Sequence, residues 1–301
     1  MKYLLRRLAK RFPNMARNIR YAKYNARDVY DTYMAAQTPV VPTPLGFNFG
    51  GLASRAHAAM QEGTFELAEV RLLSSLMPHV DLFVDIGANV GYFTCLARTL
   101  GKPAVAVEPM PKNLAALYRN LRANNWTDTE VLPLAASGRV GLETLYGASG
   151  TGASLIDQWA GAPSAFKRTI CVSTMDNLFA GRFVGARFLV KIDVEGNEYQ
   201  TLLGAQQLLR RSPPPVWLVE ITSHEYHPDG NNPTFAQSFG LFFDCGYRAF
   251  LVKSDALSEV TDSDVRRWTV AGKTDCSDIN YLFVPPDMLH LVGRVGKRVP
   301  T

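Results

Sequence analysis

Three short acidic clusters, each following an apolar run, hold the residues of this 301-residue chain whose types and spacing could do chemistry. The first is Asp85-Ile86-Gly87-Ala88-Asn89-Val90-Gly91, after Leu82-Phe83-Val84. A glycine at a strand end permits a tight turn, and its bare Cα lets a ligand approach the backbone. A helix starting there presents unpaired N–H groups. The Gly-x-x-x-Gly spacing differs from the Gly-x-Gly-x-x-Gly of dinucleotide sites. An acid beside the turn repels a pyrophosphate and suits a cation or an amino group. Taken alone, the segment also reads as a purely structural strand-to-helix turn.

Glu108 ends the next apolar run, 21 residues after Gly87. In a Rossmann-like sheet an acid at that place accepts hydrogen bonds from a ribose diol; its other reading is a surface carboxylate at a strand end. Strand, Gly turn, helix, strand and acid in this order point to a nucleoside-containing ligand with a neutral or positive linker. S-adenosylmethionine is such a molecule.

The second cluster, Lys191-Ile192-Asp193-Val194-Glu195-Gly196-Asn197-Glu198, follows Phe188-Leu189-Val190. Alternation along a strand points Lys191 and Asp193 the same way. Glu198 reads as a helix cap, favoured by the positive N-terminus. Asp193 and Glu195 are the stronger candidates for catalysis, because paired acids raise one another's pKa and a general base works best when its pKa is raised. The third cluster runs from Glu220 through His224 to His227. Glu220, His224 and His227 have the chemistry of bases or metal ligands. A single His-x-x-His in a loop is a weak signal, and no metal site is assigned. The Gly-rich stretch Gly147–Ser154 reads as a lid, as a backbone contact or as a flexible turn.

These clusters need a sheet to bring them together. Apolar runs at 82–86, 104–108, 130–134, 188–193 and 216–221 alternate with helical stretches at 92–100, 111–123, 197–210 and 233–245. That alternation predicts a parallel sheet with helices on both faces. Further strands are expected at 247–252 and 280–284, separated by an irregular polar stretch over 253–279 and forming a hairpin-like pair that adds an antiparallel strand to the edge. One helix is expected over 52–77. Residues 38–50 (TPVVPTPLGFNFG) read as an ordered connection. The domain division is therefore a basic helical arm and linker over 1–50 and a catalytic domain over 51–301.

The net charge of +5 is unevenly spread: residues 1–27 hold nine Lys or Arg and no acid, which leaves 23 bases against 27 acids elsewhere. A mildly acidic main domain argues against nucleic acid as partner. The helix over 1–37, broken at Pro13, reads as packing on its own domain or on another subunit, or as lying peripherally on an anionic membrane. Arg6 and Arg7 interrupt the only apolar stretch at the N-terminus, so no secretory signal is read and the cytoplasm is expected. Four scattered cysteines (Cys95, Cys171, Cys245, Cys276) fit a reducing compartment.

The clusters and their surroundings resemble the FkbM family of methyltransferases. The resemblance rests on VDIGANVGYFT (84–94), VEPMPKNLAALYRN (107–120), LAAS (134–137), GASLI (152–156), VSTMDNL (172–178), KIDVEGNEYQTLLGA (191–205), VEI (219–221) and GYRAFLV (246–252). Asn197, where an Ala is common, is a minor departure. The resemblance implies a class I methyltransferase fold of seven strands, the last antiparallel, with S-adenosylmethionine over the C-terminal edge. By position, Asp85, Gly87, Asn89 and Gly91 would surround the methionine part, with Ala88 and Pro109 in the same two turns. Glu108 would hold the ribose, Ala135 would flank the adenine, and Asp193 would sit near the sulfonium. The implied reaction is O-methylation of a sugar, glycan or related natural product, with Asp193 or Glu195 as base and His224 assisting. The competing readings are methylation of RNA or protein, for which no N-P-P-Y or D-P-P-Y motif appears, and a nucleoside-binding protein without turnover.

Overall fold

The computed structural model describes residues 38–294, apart from 53, 148–151, 163 and 165. The basic helix expected over 1–37 and the centre of the Gly-rich loop lie outside the described residues. The connection over 38–50 forms a small antiparallel hairpin, β1 (Val41–Pro42) with β2 (Asn48–Phe49). The helix expected over 52–77 is two helices, α1 (Arg55–Glu62) and α2 (Leu67–Leu76). They are separated because α1 ends on Gly63 and Glu66 takes a left-handed φ of 43° just before α2.

The alternating core follows: β3 (Leu82–Ile86), α3 (Tyr92–Thr99), β4 (Ala104–Val107), α4 (Pro111–Ala123) and β5 (Glu130–Leu132). An insertion then forms a three-stranded sheet from β6 (Ala135–Ala136), β7 (Gly141–Tyr146) and β8 (Lys167–Ser173). The chain returns through α5 (Met175–Phe179), β9 (Phe188–Ile192), α6 (Glu198–Leu203), α7 (Gln206–Leu209) and β10 (Val216–Glu220). It ends with α8 (Phe235–Phe243), β11 (Arg248–Val252), β12 (Leu257–Val260), α9 (Asp262–Ala271) and β13 (Asn280–Val284).

The main sheet has the order β12-β11-β13-β10-β9-β3-β4-β5. The pairs β10–β9, β9–β3, β3–β4 and β4–β5 are parallel, and β13 runs antiparallel to both β10 and β11. All seven expected strands are present and the last is antiparallel. It lies between β10 and β11, however, and the edge is an eighth strand, β12, inside the stretch read as irregular. That stretch also holds α9, whose N-terminus is fixed by a capping box between Thr261 and Asp264.

Every residue of β3 and β9 is buried, so alternate side chains enter different cores. Phe83, Leu189 and Leu218 pack with α1, α2 and α3 on one face. Val84, Val190, Trp217 and Val219 pack with α5 to α9 on the other. From β3 the chain adds strands first toward β5, then from β9 toward β10. The β3–β9 boundary is therefore the switch point where open sheets bind ligands at the strands' C-terminal ends. Among the described residues no helix is long and apolar enough to cross a membrane.

Candidate active site

A cavity of about 290 Å³ opens at that switch point. Asp85, Gly87, Ala88, Asn89, Glu108, Pro109, Ala135, Asp193 and Glu195 all line it. The cross-strand register sets Asp85 opposite Lys191, so the acid of the first cluster and the base of the second are neighbours before any loop is considered. Gly87 is required where it is: a Cβ there would fall 1.8 Å from the Asp193 carbonyl oxygen. The two loops meet at that point, where the Asp193 N–H also donates to the Ile86 carbonyl at 3.0 Å.

Among the described residues Lys191 is the only base lining the cavity, and it is buried. Its Nζ donates to Asp193 Oδ2 at 2.9 Å and sits 4.8 Å from the centroid of the Phe93 ring. Burial acts to discharge it, but Asp193, Glu66 and Asp85 together hold its pKa above the ordinary lysine value. Burial raises the pKa of Asp85, which Lys191 and a 2.6 Å hydrogen bond from Thr94 Oγ1 oppose.

Glu108 is held by its backbone neighbours. Its Oε2 accepts from the Asn89 N–H at 2.8 Å, and its Oε1 from the Met110 N–H at 2.7 Å and Asn113 Nδ2 at 3.2 Å. Burial pushes its pKa up to about 7 against those bonds. Glu195 is likewise pushed to about 7, by burial and then by Asp193, while Trp159 Nε1 donates to its Oε2 at 2.7 Å and counters the rise. Trp159 comes from the insertion between β7 and β8 and is buried.

Two residues expected at the site lie elsewhere. Gly91 caps α3 with a φ of 86°, and a Cβ on it would come 2.2 Å from Leu117 Cδ1, so it lets α3 pack on α4 and does not line the cavity. His224 is not among the lining residues. It sits on the loop after β10, half-exposed, with Nδ1 2.9 Å from Ser223 Oγ and 3.4 Å from Glu225 Oε2. Glu66, from the α1–α2 turn, and Glu220, at the end of β10, do line it. Burial raises both of their pKa values, Glu66 to about 7. No motif marks Glu66, and nothing in the sequence links Trp159 to Glu195.

The sequence profile described as Methyltransferase FkbM domain matches residues 85–249, more than half of the chain. This protein belongs to the FkbM methyltransferase family. It is a methyltransferase that uses S-adenosylmethionine. No curated relative matches the chain. Among solved structures it is similar to the O-methyltransferase from Bacillus cereus in complex with SAH, with 13% identity, TM-score 0.42, and coverage of 72% of this chain and 79% of that one. It is also similar to Aeropyrum pernix fibrillarin with natively bound S-adenosyl-L-methionine, at 10% identity, TM-score 0.36, and coverage of 72% and 75%. A third is precorrin-6y C5,15-methyltransferase from Geobacter metallireducens, at 12% identity, TM-score 0.36, and coverage of 71% and 87%.

The residues of the cavity fit the cofactor. Its excess of carboxylates suits a molecule carrying a sulfonium and an ammonium group. Asn89 Oδ1 is buried with no hydrogen-bond partner among the described residues and offers an acceptor beside Gly87. Glu108 stands at the end of β4, where a ribose diol is held in such sheets.

Proposed function

We propose that this FkbM methyltransferase methylates a hydroxyl group of a sugar, glycan or related natural product. The observation that carries the reading is the pair Asp193 and Glu195, two carboxylates on one loop in different environments. Asp193 is ion-paired to Lys191, whereas Glu195 is held near neutrality by burial and by its acidic neighbour. A general base is most effective when its pKa lies near the working pH. Glu195 is therefore the better match for taking the proton of an alcohol, and Asp193, fixed by Lys191, orients the acceptor. Separating the environments of two acids is how one site obtains two roles from the same chemistry.

Asp85, Asn89 and Glu108 would hold S-adenosylmethionine, which when bound would supply an electrophilic methyl group. The chain aligns the acceptor oxygen and receives its proton on a carboxylate. Among the described residues six carboxylates line the cavity (Glu66, Asp85, Glu108, Asp193, Glu195, Glu220) against one lysine. That balance repels phosphate-rich RNA and favours a neutral polyol. In this reading His224 has no part in proton transfer. We further propose a cytoplasmic enzyme whose basic residues 1–37 pack on its own domain or on another subunit, with contact to an anionic membrane surface as the competing reading. The test is transfer of labelled methyl from S-adenosylmethionine to a panel of methyl pyranosides, with RNA and protein as parallel acceptors. Label in a pyranoside supports the reading, and label only in RNA or protein ends it.

A further inference from the structure

The cofactor cavity has a wall that the FkbM domain match does not include. The match starts at residue 85, yet Ala56, Met60, Phe65 and Glu66 line the cavity. An aromatic cluster fixes this wall. Tyr92, on the first turn of α3, meets Phe47 at 5.8 Å, Phe49 at 5.6 Å and Phe65 at 5.6 Å between ring centroids, each edge to face. Such pairs add to the burial of large side chains and hold the segment from β2 to α2 against the site. The Arg119 guanidinium donates to the Gly50 and Gly51 carbonyls at 2.8 and 3.0 Å, tying the same segment to α4.

Within this wall Glu66 holds a left-handed conformation that costs free energy for a residue other than glycine. It is the residue immediately after Phe65, so the aromatic anchor and the carboxylate are placed together. Its near neighbours are Lys191, Asp193, Asp85 and Glu69. Lys191 already has a direct partner in Asp193, and Asp85 already accepts from Thr94. Glu69 already accepts from Asn280 Nδ2 at 3.0 Å. None of these groups is hydrogen-bonded to the Glu66 carboxylate, and among the described residues the cavity is lined by six acids against one lysine.

We propose that Glu66 is a cofactor-binding residue, supplying a carboxylate to a positive charge on the methionine part of S-adenosylmethionine from the wall that precedes the matched domain. The role rests on the cofactor assignment and adds to it a ligand outside the matched domain. The positive charge has two sources, the sulfonium and the α-ammonium, and they differ in one respect. S-adenosylhomocysteine keeps the ammonium and lacks the sulfonium.

Calorimetry on the full chain separates the outcomes, with S-adenosylmethionine and S-adenosylhomocysteine titrated into wild type and Glu66→Gln. Loss of a charge-assisted hydrogen bond corresponds to about a 10- to 100-fold weaker affinity. Weakening of both ligands by that factor assigns Glu66 to the ammonium, and weakening of S-adenosylmethionine alone assigns it to the sulfonium. Unchanged affinity for both overturns the proposal and leaves Glu66 as part of the balance around Lys191. Glu66→Asp serves as the second variant: it keeps the charge and shortens the reach, so it should recover part of the affinity if the contact is direct. If wild type binds neither ligand, the cofactor assignment itself fails and this role with it. Thermal unfolding of each variant without ligand shows whether a loss of affinity reflects a loss of fold.

Discussion

Trp159 donates its indole N–H to the Glu195 carboxylate at 2.7 Å, joining a residue of the β7–β8 insertion to the loop after β9. Glu195 itself has a left-handed φ of 54°, so its side chain is directed by a strained backbone as well as by the indole. This contact ties the insertion to a residue that lines the cavity. It also sets the protonation of the proposed base, because the hydrogen bond favours the charged carboxylate while burial and Asp193 favour the neutral one.

Turnover should therefore rise with pH through about 7, as Glu195 loses its proton. Glu195→Gln should lower kcat by ~10²–10⁴, the usual contribution of general acid–base catalysis, with little change in S-adenosylhomocysteine affinity. Trp159→Phe keeps most of the packing and removes the donor, so the midpoint of the pH–rate profile should move up. The comparison with Asp193→Asn decides the roles. If Asp193→Asn abolishes the pH dependence and Glu195→Gln leaves it intact, Asp193 is the base.

Lys191 offers a stability test. It is buried against Phe93 and surrounded by Asp85, Asp193 and Glu66. Lys191 is buried but Asp193 is partly exposed, so removing the lysine leaves a partly solvated charge beside the buried Asp85, at a cost below the about 3–5 kcal/mol of a fully buried pair. Lys191→Met should lower the denaturation midpoint by a corresponding amount, and the double variant with Asp193→Asn should recover part of it. A double variant no more stable than Lys191→Met would show that the pair is not energetically coupled.

Much of this arrangement was legible in the sequence because local chemistry dictates it. Asp85, Gly87 and Glu108 stand at strand ends, and strand ends announce themselves by apolar runs that stop at a glycine or an acid. Lys191 and Asp193 share a face by alternation, and they meet at 2.9 Å. Gly91 belongs to the same motif as Gly87, but only the packing of Leu117 reveals that its bare Cα serves α4 and not a ligand. His224 was drawn in by its residue type, whereas the loop after β10 keeps it outside the cavity. Glu66 and Trp159 reach the site through tertiary packing alone, from segments whose local pattern signals nothing. α9 is the opposite case: Thr261 and Asp264 spell a capping box within a stretch whose polarity hid the helix.

For the cofactor, Glu108 gives the sharpest test. Glu108→Ala should weaken S-adenosylhomocysteine binding by roughly 1–3 kcal/mol, the cost of losing charged hydrogen bonds to the ribose. Because Glu108 also satisfies the N–H groups of Asn89 and Met110, the alanine variant disturbs the turn as well. Glu108→Gln retains an acceptor oxygen and should lose less. NAD should not bind to wild type by calorimetry, since the acids that line the cavity around the Gly87 turn repel a pyrophosphate, and tight NAD binding would overturn the placement of the cofactor.

The buried carboxylates also predict how stability depends on pH. Glu66, Glu108 and Glu195 are raised to about 7 and Glu198 to about 8, from an ordinary value of 4.5. Burial is the leading cause in each. The folded protein thus binds protons that the unfolded chain releases, so the contribution of these groups is fully present below pH 4.5 and is lost as pH rises through about 7 to 8. Lys191 stays charged throughout this window because its pKa is raised. Asp264, depressed by hydrogen bonds from Thr261 and Arg267, acts only below its ordinary value of 3.8. Denaturation midpoints should therefore fall between about pH 5 and about pH 8 in the absence of ligand. A ligand stabilises the form it binds, and a cation gains most where the acids are charged. Added S-adenosylmethionine should raise the midpoint more at the higher pH, and more than S-adenosylhomocysteine does there. Midpoints that stay level across the window, with equal gains from the two ligands, would show that these carboxylates are as well solvated in the fold as in the unfolded chain.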